Sequence, residues 1–530
     1  MSNPYGYFFS RRSNVKVKAC LISILAVVFF YRPALGQNKE VLNLSLEECI
    51  MKAMKNNLSI AVEVLNPELA KHSIKKAKET FLPQFELKFG NDHQESPPYS
   101  WIQGETTITS RMADYGVSVV QQIPTGGNFS LSLSSYKSDT NESFQLINPR
   151  FGSEIRLDFT QPLLKNFGPK VSRREILLAE NYLEISDIEL QNTLLDTIYS
   201  VQEAYWGLVY SIENLKVKQQ SLQLARDLVA KNKKEVQFGQ LAPIEILNAE
   251  AVVAEREADL LQAEALIIRT EEGLKVLINI AAEGDPRQKK IVPQDRPDFT
   301  VAQVSLEEAL KQAFDRRPDL KVVQKTIETR ELKLSVARNQ MLPSLDLKFS
   351  YWSPGIGGDL LIYKNNDPFT GIVVGTQKGG AGQSLSDALK LLYNNWNVGL
   401  TLSIPLSSFL TKADFAYAQT DLNQSQIKLK DLEQQVSLDV SDAVRTVETN
   451  AKRVGAYRVA RELAEKTLEA EVKKLQVGRS TNYFVLDYQD KLANARSNEV
   501  KAKIDYLLSV AKLDKATGAS LEKRNIKVKS

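Results

Sequence analysis

The sequence predicts a mainly α-helical fold with a transmembrane β portion, built from a duplicated helix–strand–strand–helix–helix unit. Three observations carry this. First, residues 46–89 and 306–349 align without a gap at an offset of 260. One opens Leu46-Glu47-Glu48 and closes through Leu82-Pro83-Gln84-Phe85; the other opens Leu306-Glu307-Glu308 and closes through Leu342-Pro343-Ser344-Leu345. Val236-Gln237-Phe238-Gly239 likewise matches Leu475-Gln476-Val477-Gly478 at an offset of 239. Repetition on this scale means one structural unit used twice. Second, two proline-free stretches, about 172–238 and 410–477, carry apolar residues at three–four spacing, the seam of packed helices. Third, several short segments alternate apolar and polar residues, the period-two pattern of strands with unlike faces.

Residues 1–36 read as an export leader. Arg11, Arg12, Lys16 and Lys18 precede an apolar run, Ala19 to Tyr31. About 13 residues are too few to cross a bilayer as a helix. Ala34-Leu35-Gly36 supplies a small-residue cleavage site, giving a mature start at Gln37. Cys20 begins the apolar run and is badly placed for lipid attachment. Without the leader, 63 basic residues oppose 64 acidic ones, a net charge of −1. That excludes an electrostatic case for nucleic acid. Cys49 is then the sole cysteine, so no internal disulfide is expected. His72 and His93 are the only histidines. No nucleophile–base cluster, metal-ligand spacing or phosphate loop is present, and no catalytic residue, metal or cofactor is expected. Beyond Gln37 no apolar stretch approaches the roughly 20 residues of a membrane helix. The exported chain is therefore periplasmic, secreted, or a membrane β-barrel.

The first repeat spans 37–281. A helix over 44–80 starts at the cap Ser45, with Glu47 and Glu48 favourably placed in its first turn. Phe85, Leu87 and Phe89 then alternate with polar neighbours in a strand over 84–90. Residues 93–113 read as a polar loop. Residues 115–137 read as a hairpin turning at Pro124-Thr125-Gly126-Gly127-Asn128. A second polar loop covers 138–153, and 154–161 alternate again. The long helix from Ser172 to Phe238 has Ile198, Val201, Tyr205, Leu208, Ile212, Leu215 and Leu222 on its seam. A return helix covers 244–281. Residues 282–304 are a linker.

The second repeat spans 305–518, with a tail over 519–530. Helix 305–341 leads to strand 344–351 and a glycine-rich insert at 353–385. Strand 396–406 has the most regular alternation. A long helix from Leu410 to Val477 carries Val436, Val440, Ala443, Val447 and Val454 on its seam, and 482–517 return. Each long helix, at about 1.5 Å per residue, reaches roughly 100 Å. Two short helices end to end match one long one, which allows a bundle of uniform height.

Strands with one apolar and one polar face suit a soluble sandwich or a membrane barrel. Export, strand length and the long helices favour the barrel. Four equivalently placed strands, or six with the 115–137 hairpin, fall below the minimum of about eight for a membrane barrel. Open edges are not tolerated in lipid, so several copies must complete one cylinder. Pro83, Pro162, Pro343 and Pro405 stand where helix and strand exchange, matched in pairs across the duplication.

The chain resembles the TolC-like outer-membrane efflux family over about 37–518. The resemblance rests on the paired Leu-Glu-Glu openings, Leu82-Pro83, Leu342-Pro343, Gln161-Pro162-Leu163-Leu164, Ile404-Pro405-Leu406 and the glycine tips. It implies a homotrimer in which each copy gives four strands to a twelve-stranded barrel, continuous with a periplasmic α-helical barrel. It implies location in the outer membrane of a Gram-negative-type cell, extending into the periplasm. The implied role is the passive exit duct of a tripartite efflux pump or type I secretion system. The implied partners are outer-membrane lipid, a periplasmic adaptor (membrane fusion protein) and an inner-membrane transporter of RND, ABC or MFS type. The adaptor would meet the tips at Gly239, Gln240 and Leu241 and at Gly478, Arg479 and Ser480. Glu245 and Asp487 match positions where acidic residues line the periplasmic constriction, although Phe484 and Asn248 occupy their counterparts in the other repeat. Repeated by threefold symmetry, the two carboxylates would form rings that favour cations and hold the closed state. The hairpin and the 353–395 insert have no partner in the other repeat and are expected to extend strands or cap loops outside the cell. The competing reading is a periplasmic adaptor or bridging protein with long helical hairpins. Cargo is not legible.

Overall fold

The computed structural model describes residues 40–404 and 408–526. The leader, its cleavage site, Cys20, Pro405 and the end of the tail lie outside the described residues. The chain divides into two compact units. One comprises the residues up to Asn57, Ser200–Phe299 and Val454–Ile504; the other comprises Leu58–Tyr199, Thr300–Arg453 and Asp505 onward. In chain order the elements are β1 (Glu40–Leu44), α1 (Leu46–Asn56), α2 (Leu58–Glu79), β2 (Gln84–Ser96), β3 (Ile108–Gln122), β4 (Asn128–Thr140), β5 (Ile147–Pro162), α3 (Arg174–Gln237) and α4 (Ile244–Leu277). The second half follows with β6 (Lys289–Pro293), α5 (Leu306–Arg316), α6 (Pro318–Gln340), β7 (Ser344–Tyr363), β8 (Val373–Gln377), α7 (Ala381–Leu389), β9 (Asn395–Ser403), α8 (Ser408–Gln476) and α9 (Asn482–Ala516).

The seams are where the spacing places them. Ile198, Val201, Tyr205, Leu208 and Leu222 on α3 are buried, as are Val436, Val440, Ala443, Val447 and Val454 on α8. Ile212 and Leu215 are half-buried. Ser45 caps α1 in a reciprocal box with Glu48.

Each opening helix, expected unbroken over 44–80 and 305–341, is broken once. The breaks are at Asn57 (φ −64°, ψ 128°) and Arg317 (φ −58°, ψ 124°), equivalent positions at the offset of 260. Arg317 precedes Pro318, whose ring excludes helical geometry from the residue before it. At Asn57 a side chain marks the break instead: its amide donates to the Leu277 carbonyl at 2.8 Å.

The linker is also corrected. Residues 289–293 form β6, which pairs in parallel with β1 from Glu40↔Lys289 to Leu44↔Pro293. Asp295 just beyond accepts from the Tyr205 hydroxyl at 2.8 Å and from the Leu46 amide at 2.7 Å. These bonds tie the linker to the start of α1. Burial pushes the Tyr205 phenol up.

The second unit holds a seven-stranded sheet, ordered β2-β3-β4-β5-β7-β8 among the described residues, with β9 also paired to β7. β8 pairs with the far end of β7 at Leu360–Tyr363 and β9 with its near end at Ser344–Trp352. The expectation of four strands per copy, with the hairpin as an extension or cap, is overturned. β3 and β4 lie inside the sheet between β2 and β5. Their turn sits at the helix-side end, where the Gly168 amide donates to the Thr125 carbonyl at 3.0 Å. Parts of the expected loops 93–113 and 138–153 are strand as well. Residues such as His93, Arg111 and Asp139 hide the strands from an apolarity count, yet the backbone ladder runs unbroken through them.

Rows of paired residues give the sheet two unlike faces. One row reads Phe85, Val119, Leu131, Leu157, Tyr351 and Trp396; the next row, on the opposite face, reads Glu86, Ser118, Ser132, Arg156, Trp352 and Asn395. Arg156 lies 3.1 Å from Asp158 and 3.6 Å from Glu154. Pro83 directly precedes β2, Pro343 directly precedes β7 and Pro162 ends β5. Asn339 holds the crossing beside Pro162, accepting from the Asn166 amide at 2.7 Å and donating to the Leu164 carbonyl at 3.1 Å. No helix among the described residues is long and apolar enough to cross a membrane.

Candidate functional site

The two long hairpins turn at matched tips in the first unit. α3 and α8 both end on glycines in the left-handed region, Gly239 at φ 71° and Gly478 at φ 72°. A side chain is strained in that conformation. The Gln240 amide donates to the Glu235 carbonyl, and the Arg479 amide to the Lys474 carbonyl, each at 2.9 Å. These are the same Schellman closure at the offset of 239. Gly239, Gln240, Gly478 and Arg479 are exposed, and Leu241 and Ser480 are half-buried. The preceding side chains, Phe238 and Val477, are 78% and 70% exposed. Two matched apolar groups therefore stand in solvent at the tips.

Glu245 and Asp487, predicted from opposite repeats, come together. Both line one open groove of about 450 Å³ between α4 and α9, with Asn248, Glu255, Arg256, Tyr483 and Asp490. Asp487 is paired within its own helix to Lys491 at 2.7 Å, a bond that raises the Lys491 ammonium above its ordinary value. Glu245 gives its main-chain carbonyl to the Asn232 amide at 3.3 Å. Phe484, in the place equivalent to Glu245, sets its ring edge-on to Tyr483, 5.7 Å between centroids.

Residues not singled out from the sequence join the two hairpins. Asn482 donates to the side-chain oxygen of Asn232 at 2.9 Å. The side-chain Oδ1 of Asn482 is itself buried without a partner among the described residues, so one bond holds the pair. Asn232 follows Ser221, Ala225 and Leu228 on the buried seam of α3. A polar residue at such a position was its legible signal. Arg256 of α4 meets Asp490 of α9 at 2.6 Å, with side chains 10% and 38% exposed. Glu471, in the place equivalent to Asn232, accepts from the Ser480 hydroxyl and lies 3.0 Å from Lys474. Those hydrogen bonds hold its carboxyl below the usual range. Each tip is thus tied back to its own helix by a polar group at an equivalent position. The groove is lined by four carboxylates, Glu245, Glu255, Asp487 and Asp490, and one guanidinium, that of Arg256. Such a lining attracts cations.

Among the described residues no group of three or more His, Cys, Asp or Glu is arranged to hold a metal ion.

Comparison with known proteins places this geometry. Residues 309–519 match the family model described as outer membrane efflux protein. The chain is 24% identical over 355 residues to outer membrane protein TolC of Vibrio cholerae, covering 65% of this chain and 72% of that protein. Among solved structures it is similar to the CmeC outer membrane channel of Campylobacter jejuni (TM-score 0.62, 15% identity, 89% of this chain and 85% of that one). It is also similar to the outer membrane protein VceC of Vibrio cholerae (TM-score 0.62, 16% identity, 89% and 96%). At these identities the structural likeness speaks for the fold.

Proposed function

We infer that this chain, which belongs to the outer membrane efflux protein family, is the outer-membrane exit duct of an efflux or secretion system. The observation that carries the reading is the two-faced sheet with two open edges. Phe85, Leu87 and Phe89 on β2, and Trp396, Val398, Leu400 and Leu402 on β9, are exposed. A single copy would leave unpaired backbone and apolar side chains in the bilayer, where neither edge has a partner. Closure by further copies through β2 and β9 removes both edges.

Three copies would complete the ring, as the family resemblance implies. With six strands per copy at the level of the apolar rows, the ring would carry eighteen strands instead of twelve. Barrels of that size leave an aqueous channel. The apolar rows would face lipid and the rows of Glu86, Ser132 and Arg156 the lumen. The tips, with exposed Phe238 and Val477, would receive a periplasmic adaptor, and an inner-membrane transporter of RND, ABC or MFS type would supply the energy. Glu245 and Asp487 would line the closed mouth. The adaptor alternative is not favoured, because the paired repeats and the matched helix–strand crossings fit the duct.

Fractionation and planar-bilayer recording test the reading together. The expected result is an oligomer extracted from outer membranes only by detergent and forming water-filled channels. A chain dissolved as a lone molecule without detergent, and silent in bilayers, would overturn it. For the mouth, Glu245→Ala and Asp487→Ala should lower cation selectivity or raise resting conductance. No change in either variant would remove the two carboxylates from the gate.

A further inference from the structure

The apolar face of the sheet gives out before its strands end. Four residues beyond the row of Phe85 and Leu157, away from the helices, the paired residues are Phe89, Tyr115, Ser135, Ser153 and Gly355. β2 and β3 present aromatic rings at this level, whereas β4, β5 and β7 present only Ser and Gly. A lipid-facing wall would lose its apolar cover there.

α7 lies on that gap. Its Ser384 and Ala388, one helical turn apart, are fully buried, and the Ser384 hydroxyl is 3.0 Å from that of Ser153. A Cβ on Gly355 would stand 2.0 Å from the Ser384 carbonyl oxygen, and one on Gly357 2.6 Å from the Gly380 carbonyl oxygen. The strand surrenders its side chains so that the helix backbone can seat. Leu385 and Leu389 on the helix, and Leu392 in the turn just after it, are 37%, 53% and 58% exposed. Gln383, Ser386, Asp387 and Lys390 are the other polar residues of the same segment. Such a two-sided helix suits the boundary between headgroups and acyl chains.

We propose that α7 is an interfacial helix laid on the lipid side of the sheet, with Leu385, Leu389 and Leu392 in contact with acyl chains of the outer leaflet. The proposal rests on reading the sheet as the wall of an outer-membrane barrel. Three features favour lipid over a second copy as occupant. α7 covers β5 and β7, whereas the open edges through which copies would join are β2 and β9. Its leucines continue the apolar rows of the sheet. They stand at the level where Phe89 and Tyr115 form the aromatic rim expected of a membrane interface. The insert that carries α7 therefore replaces, with a helix, the apolar cover that β5 and β7 lack.

Site-directed spin labelling tests this. In a Cys20→Ala, Cys49→Ala background, the full chain would carry a nitroxide at Leu389→Cys, or at Leu400→Cys on the bare apolar face. Each would be reconstituted in vesicles of phosphatidylethanolamine and phosphatidylglycerol, and its collisions with oxygen and with a water-soluble nickel chelate measured. The expected result is that the label at 389 collides with oxygen and is shielded from nickel, as at 400. Nickel access at 389 with shielding at 400 would overturn the proposal and leave the barrel standing. A label at 389 reached by neither reagent, with 400 open to oxygen, would mean a second copy covers α7 and would also overturn it. Nickel access at 400 would remove the barrel, and this proposal with it.

Discussion

The side-chain amide of Asn482 donates to the side-chain oxygen of Asn232 at 2.9 Å, with the residues 4% and 0% exposed. Asn232 passes the tie on to the main chain of Glu245. An internal hydrogen bond contributes about 0.5–1.5 kcal/mol, and a buried polar group left unpaired costs about 1–3 kcal/mol. Asn482→Ala should therefore loosen the contact between the two hairpins by about that amount. The expected readout is a higher resting conductance in planar bilayers. Conductance equal to that of the parent chain would exclude this pair from gating.

Arg256 should matter more. It is nearly buried, is paired with Asp490 and supplies the guanidinium of a groove lined by four carboxylates. Removing one partner of a fully buried pair costs about 3–5 kcal/mol, and the partial exposure of Asp490 lowers that figure. Arg256→Gln leaves Asp490 without its partner in a groove that Glu245, Glu255 and Asp487 also line. Opening should rise beyond that of Asn482→Ala, and added salt should reduce the difference. An effect no larger than that of Asn482→Ala would refute the ranking.

Glu499 gives the chain an acid-sensitive point. Burial by itself would raise its carboxyl, but Lys503 at 3.1 Å and Arg461 at 2.8 Å outweigh that and hold it below the ordinary value. A depressed carboxylate contributes stability that is fully present above its unfolded value, near about 4.3. That contribution is lost as pH falls through the lower folded value. Melting temperatures taken from about pH 6 to about pH 3 should fall less steeply for Glu499→Gln than for the parent. Parallel curves would show that Glu499 is not the group responsible.

Cys49 should report unfolding. It is fully buried in α1, and burial, with Glu48 and Asp295 nearby, pushes its thiol up to about 12. The thiolate is the reactive form, so a maleimide near neutral pH should modify a Cys20→Ala chain only when α1 opens. Rapid modification of the folded protein would contradict the packing described here.

Much of the architecture was legible because it is periodic. The seams of α3 and α8, the glycine tips and the duplicated openings follow from spacing alone. Elements that depend on pairing with distant residues were not. β6 carries five residues in a charged linker, and only β1 makes it a strand. β3 and β4 showed their alternation, but nothing in their residues said that they enter the sheet between β2 and β5. At the site, the carboxylates Glu245 and Asp487 were pointed to by the family resemblance, which maps acidic positions just beyond the tips. Arg256 and Asp490 were not, because an arginine and an aspartate on a charged helix look like any solvated pair until the facing helix is known.

The inserted hairpin has one more implication. Its turn closes on itself beside Thr125, so it adds two strands without adding a helix to the four that meet the sheet near Pro83, Pro162, Pro343 and β9. In the proposed duct, the bore of the barrel and the tips that would receive an adaptor could then be inherited separately. A lineage could enlarge such a portal by acquiring ribbons of this kind, or shrink it by losing them, while any machinery that reads the tips stays compatible.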